Sequence, residues 1–159
     1  MRRKDREITD TVEMKQILDA CKTCHIGMVD NGMPYVVPMS YGYALKEGIL
    51  TLYLHSAKEG RKIDVLKRNP SVCFVVSCEG EPLFPETPCN SGYYYSSVIG
   101  DGQALIIEDA AEKCAALTRM FQHQSGREVN FSAEQADAVC VIQIVSKSFS
   151  GKKKPKQIR

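Results

Sequence analysis

At 159 residues, 43% hydrophobic and 25% charged, the chain has the size and composition of one globular domain around a single core. Against 19 Asp and Glu stand 21 Lys and Arg, a formal net charge of only +2, so charge gives no case for a nucleic-acid or membrane partner. No apolar run approaches the ~18 residues that span a bilayer, and the charged amino terminus leads into "EITDTVEMKQ" rather than a secretory apolar segment. A cytoplasmic protein is expected, its seven scattered cysteines reduced.

In chain order, residues 10–22, "DTVEMKQILDACK", set Met14, Ile17, Leu18 and Cys21 on one stripe at helical spacing, with Asp10 and Glu13 placed as a capping box. Next come β-prone runs, "HIGMVD" and "PYVVPMSYGYA", around Asn31-Gly32, a pair suited to a tight hairpin turn because both residues accept positive φ. A second turn, "LKEG", leads into "ILTLYLHS", and together these segments predict a three-stranded antiparallel meander. In "SAKEGRKIDVLKRNP" only Ile63 and Leu66 form an inward face before Pro70, which predicts a short helix.

The strand "SVCFVVSCE" and a Pro- and Gly-bearing loop, "GEPLFPETPCNSG", follow. The long β-prone stretch "YYYSSVIGDGQALIIED" carries Gly100 and Gly102, which mark a bulge or a bend. Residues 109–124 form a helix with Cys114, Leu117, Met120 and Phe121 along one side, its His123 expected at the surface, and "AVCVIQIVSKSFSG" closes the fold as a strand. About six strands joined mostly by hairpins, with helices between them but no βαβ alternation, define a mainly β class: a small antiparallel barrel decorated by helices. One domain is expected over 1–151, followed by a basic tail over 152–159.

"CKTCH", Cys21 to His25, has the spelling of a covalent c-type haem site. Its context opposes that: Cys21 is on the helix stripe, while Cys24 and His25 start a strand, so buried thiols and a surface histidine are expected instead. A zinc site would need a fourth ligand, and no second CxxC or HxxxH occurs. Nor does the chain hold GxSxG, GxxxxGK[ST], GxGxxG or HExxH.

The densest chemistry lies in "LHSAKEGRK", which gathers His55, Ser56, Lys58, Arg61 and Lys62 about Gly60 at a strand-to-helix junction. Free amides, a hydroxyl and several cations suit a phosphate, whose charge would also offset the macrodipole that opposes cations early in a helix. The plainer reading is a solvated helix start. In "VVPMSYGY", Pro38 cannot donate to a ladder and so belongs at an edge or a bulge, and Pro38, Met39, Ser40 and Tyr41 would make a wall for a flat ring. The tyrosines of "GYYYSSVIG" alternate between core and surface, or line an interface.

Taken together, "MRRKDREI", "VDNGMPYVVPMSYGY", "LTLYLHSAKEGRKIDVLKRNPSVCFVV" and "SSVIGDGQALIIED" resemble the nitroimidazole-resistance branch of the pyridoxamine 5′-phosphate oxidase-like flavoproteins over nearly the whole chain. The resemblance implies a six-stranded antiparallel split β-barrel, homodimeric, binding FMN, less often FAD, in clefts between subunits. By the same resemblance Arg61 and Lys62 become phosphate cations, and Gly60 replaces a motif serine whose hydroxyl Ser56 or His55 would make up. Val37 to Tyr41 line the flavin ring, and Ser97 and Val98 reach it from the partner subunit.

"SGKKKPKQIR" has no counterpart of the family's carboxyl-terminal Arg-containing substrate motif, which points away from vitamin B6 oxidation. The resemblance then implies a flavin reductase taking electrons from a reduced nicotinamide or another donor to a small nitroaromatic acceptor, with His55 as a candidate proton donor. Alternatives are a flavin- or haem-binding carrier or sensor without turnover and a B6 enzyme. A nucleic-acid-associated protein is opposed by aromatics that cluster away from the basic runs.

Overall fold

The structure is a computed structural model and describes residues 3–78 and 80–154. The strands are β1 (Glu7–Ile8), β2 (Thr23–Asp30), β3 (Met33–Ser40), β4 (Gly42–Lys46), β5 (Ile49–Ser56), β6 (Ser71–Cys78), β7 (Pro82–Leu83), β8 (Gly92–Tyr93), β9 (Tyr95–Ile107) and β10 (Cys140–Lys154). The α-helices are α1 (Thr11–Ala20), α2 (Arg61–Arg68), α3 (Ala110–Ser125) and α4 (Ala133–Asp137). An eight-stranded antiparallel sheet runs β3-β2-β6-β9-β10-β5-β4, with β1 added on β10, and β7-β8 form a separate ribbon.

Both expected turns form, with φ of 51° and 83° at Asn31-Gly32 and 51° and 75° at Glu47-Gly48. The run expected as one strand over "PYVVPMSYGYA" is two: β3 pairs with β2 alone in the sheet order, and β4 with β5. Only Tyr41 lies between Ser40 and Gly42, so the two edges of the sheet are forced together by the chain itself. That junction curls the sheet into a barrel whose seam is covalent rather than laddered, a split barrel. Pro38, opposite His25, lies on the edge strand where its missing donor costs no ladder bond.

The break in register lies on β10, between Val145 and Ser148, and not on the glycine-bearing strand. Gly100 and Gly102 serve that bend by leaving room: a Cβ would meet Phe149 Cβ and Phe74 Cζ at 2.7 Å from Gly100, and Ile144 Cγ2 at 2.7 Å from Gly102.

Met14, Ile17 and Leu18 bury the face of α1 in the main core with Ile26, Leu52, Phe74, Val76 and Ile144. A smaller cluster, Leu117, Met120, Ala136 and Val141 with Phe131, seats α3 and α4 on the sheet. Asp10 caps α1 by accepting from the Val12 amide at 2.9 Å, whereas Glu13 pairs with Lys153 rather than completing a capping box. Cys21 is disulfide-bonded to Cys78, their Cα atoms 5.7 Å apart, which corrects the expectation of seven reduced thiols. The bond joins the C-terminal end of α1 to the end of β6, a contact spanning 57 residues that no spacing in the sequence announces. Strand β10 continues to Lys154, beyond the start of the expected tail, whose residues 155–159 lie outside the described ones.

Candidate functional site

Helix α2 starts at Gly60, held at φ 127° and without a side-chain cap. The Gly60 carbonyl accepts from the amides of Ile63 (2.9 Å) and Asp64 (3.2 Å), and those of Arg61 and Lys62 have no partner among the described residues. Two open donors at the positive end of a helix form an anion cradle. Nothing lies within 4 Å of where a Gly60 Cβ would be, so the approach is clear.

The cations around the cradle are placed by acids. Arg61 Nε donates to Asp30 Oδ2 at 2.8 Å while its guanidinium lies 4.1 Å from the centre of the Tyr35 ring. Arg68 holds the other oxygen of Asp30 at 2.7 Å, and Arg61 foremost, then Arg68, keeps this carboxyl below the usual carboxylate range. Lys58 reaches Asp137 at the end of α4, at 3.1 Å. Half-buried Lys62 forms no ion pair among the described residues. The Ser56 hydroxyl donates to the Ala57 carbonyl at 2.8 Å, turned to its own chain.

Along β3, alternation divides the expected ring wall. Pro38 and Ser40 face outward and Val37 is half-buried, whereas Met39 and Tyr41 point into the core. The fully buried Tyr41 hydroxyl donates to the Leu18 carbonyl at 2.7 Å. On β9, Ser97 is half-buried and Val98 fully buried, leaving Val98 only its backbone for any contact across subunits.

Ser40 and His55 do come together. They open on a hollow of about 440 Å³ closed by Leu117, Met120, Phe121 and Gln124 of α3, Phe131, Gln135 of α4, and Val139. Its walls are largely apolar, with polar groups at the rim able to orient a flat ligand. Sequence reasoning placed Leu117, Met120 and Phe121 on one helix side but missed Phe131, Gln124 and Gln135. A legible signal existed for α4: Ser132 and Gln135 form a capping box, Ser132 Oγ accepting from the Gln135 amide at 3.2 Å and Gln135 Oε1 from the Ser132 amide at 2.9 Å.

His123 is not the surface residue expected. Its ring packs against Tyr41 at 4.7 Å and edge-on to Tyr43 at 5.6 Å, with Nε2 3.0 Å from the Cys21 carbonyl. Burial, then the nearby Lys22 charge, lowers its pKa from the ordinary imidazole value, so the ring is neutral at pH 7. "CKTCH" is closed to haem attachment: Cys21 is in a disulfide, and Cys24 is fully buried, its thiol pushed up to about 12 by burial, while His25 is exposed. Among the described residues no three His, Cys, Asp or Glu side chains are grouped to hold a metal.

A mainly β split barrel with open amides at the basic start of α2 and a ring-sized apolar hollow at the end of the preceding strand defines the class. The chain belongs to the pyridoxamine 5′-phosphate oxidase family, whose model matches residues 10–153. A Bacteroides thetaiotaomicron structure, of a protein provisionally ascribed to 5-nitroimidazole antibiotic resistance, is 32% identical, with TM-score 0.80 over 92% of this chain and 86% of that one. The flavocytochrome Anf3 of Azotobacter vinelandii is 25% identical, with TM-score 0.79 over 98% of this chain and 72% of that one. An FAD- and haem-binding protein of Mycobacterium smegmatis, 15% identical, has the same fold at TM-score 0.79 over 97% of this chain and 76% of that one. No curated protein sequence matches the chain. No helix among the described residues is long and apolar enough to cross a membrane.

Proposed function

We propose that the chain is a cytoplasmic, homodimeric FMN-binding oxidoreductase that takes electrons from a reduced nicotinamide or another donor to a small nitroaromatic-type acceptor. The observation that carries this reading is the hollow joining Ser40 and His55, five residues along the chain from the uncapped start of α2. Family membership and the likeness to a nitroimidazole-resistance protein support it. FAD is the alternative cofactor, since Anf3 is a flavocytochrome and the Mycobacterium smegmatis protein binds FAD.

When bound, the flavin supplies the electron transfer. The residues have separate tasks. Lys62 and the Arg61 and Lys62 amides bind the phosphate, and Asp30 steers Arg61 toward it. Leu117, Met120, Phe121 and Phe131 exclude water, and the Ser40 hydroxyl and the Gln124 side-chain oxygen, whose Nε2 is committed to two backbone carbonyls, orient the ring. His55 is the titratable side chain lining the hollow, where its imidazole holds the proton for a reduced acceptor. The outer faces of β2, β3 and β9 expose Val29, Val36, Ile99 and Leu105, each 48–59% exposed, an apolar surface that a second copy would cover.

The visible spectrum of the purified protein tests this reading. Paired near-ultraviolet and blue bands, bleached anaerobically by a reduced nicotinamide and restored by a nitroaromatic, are expected; a Soret band or a colourless protein that takes up no flavin overturns it. Lys62→Gln should weaken FMN binding about tenfold, read by fluorescence titration. His55→Ala should retain flavin but slow turnover about a hundredfold, the size of a general acid's contribution, and unchanged turnover removes that role.

A further inference from the structure

A second hollow of about 530 Å³ lies on the opposite face of α3, between α1 and β4. Residues 117, 120, 121 and 124 of the helix face the His55 hollow, and Arg119, Gln122 and His123 face this one. Lys15, Lys22, Lys46 and Arg119 line it, against a single carboxylate, Asp19, whose Oδ1 accepts the Tyr43 hydroxyl at 2.7 Å.

Structural duties account for only part of this charge. Lys22 Nζ donates to the carbonyls of Asp19 (3.0 Å) and His123 (2.6 Å), near the C-terminal ends of α1 and α3. Gln124 Nε2 serves the Lys22 and Tyr41 carbonyls, both at 2.8 Å. Lys15, Lys46 and Arg119 have no ion-pair partner among the described residues, yet they stand around one concave surface. Three exposed cations without an ion-pair partner thus border one cleft with a single carboxylate, a local excess of positive charge that favours an anion.

The floor is stiff and carries an acceptor. Tyr43 is fixed by Asp19 and meets His123 edge-on, and His123 leans on Tyr41. A carbonyl only accepts, so His123 Nε2 carries the proton that binds Cys21 O, and Nδ1 of the neutral ring keeps its lone pair. Among the described residues no group bonds Nδ1 and no buried side-chain nitrogen or oxygen lacks a partner, so this atom is not buried. Cations beside one acceptor suit an anion that still bears a proton, as phosphates do near neutrality.

We propose that this cleft is a binding site for a small phosphorylated molecule, with Lys15, Lys46 and Arg119 on the phosphoryl oxygens and His123 Nδ1 accepting a P–OH. Its volume falls within the range of small-molecule pockets and exceeds what one phosphate fills. The site is separate from the flavin reading and stands or falls independently of it.

Calorimetric titration of the full chain, as purified, with inorganic pyrophosphate at low salt is the test. One saturable site is expected, at least about tenfold weaker in Lys46→Gln/Arg119→Gln, with cofactor content and thermal midpoint unchanged. Lys15→Gln alone should weaken it by a smaller factor. Absence of saturable binding at millimolar pyrophosphate overturns the proposal, as does equal affinity in the double variant. Loss of binding in Lys62→Gln with retention in the double variant also overturns it, because the anion then occupies the start of α2.

Discussion

The two sides of α3 present two histidines with opposite fates. His55 lies exposed at a strand end on the rim of an apolar hollow, while His123 is sandwiched by tyrosines on the floor of a basic cleft. One helix separates them, so the contrast comes from what packs against each face. The apolar side exists because α4 and Phe131 fold over it; the basic side, because α1 ends against it. A histidine's chemistry here is set by its neighbours and not by its own segment.

The strongest way to break this contrast is at the staple below the basic side. Cys21→Ala/Cys78→Ala should cost about 4 kcal/mol, the loop-closure effect for a separation of 57 residues, read by urea unfolding under non-reducing conditions. Because the bond anchors the residue whose carbonyl holds His123, the His55 hollow should keep its ligand while stability falls. Wild-type protein unchanged by a strong reductant would mean that the pair is not bonded in solution.

Disturbing both sides together comes next. Gly42 abuts α3 so closely that a Cβ would be 2.6 Å from Met120 Cα and 2.7 Å from its amide nitrogen. Backbone cannot swing aside as a side chain can, so Gly42→Ala should cost about 3 kcal/mol and displace α3 from β4. Pyrophosphate and flavin affinity should fall together in this variant. Normal values for both would show that the helix seat is softer than the close approach implies.

The smallest effect is a pH dependence that sharpens the contrast. The folded state resists protonating His123, whereas the unfolded chain accepts the proton near the ordinary value of 6.5, so stability falls as pH drops below that value. Asp30 acts in a lower window: its depressed pKa stabilises the fold above the unfolded value of 3.8, and that gain is lost as pH falls through the folded one. Stability of His123→Gln, measured by denaturant titration between pH 7 and 5, should be flatter than wild type. An identical slope would assign the first window to another group.

Local features were legible in the residues. Asn31-Gly32, Pro38 on an edge, the α1 stripe and the basic start of α2 follow from backbone preference and side-chain period, which act within a few positions. The resemblance supplied the split barrel and the family. Expectations failed where segments distant in sequence meet: the corner at Tyr41 divides one β-prone run between opposite sheet edges, Cys21 is bonded to Cys78, and His123 packs against tyrosines, while the irregularity expected at Gly100 and Gly102 is carried by β10, opposite Gly102.

From sequence alone, then, come the mainly β class, the turns, the amphipathic faces and the basic junction at 55–62, because each is encoded within a few neighbouring positions. The tertiary structure alone decided that Cys21 pairs with Cys78, that His123 lies among tyrosines 80 or more positions away, and that Ser40 and His55 share a hollow with α3 and α4. Those contacts depend on how a sheet joined to itself through one residue curls, a property of the whole chain that no local pattern carries.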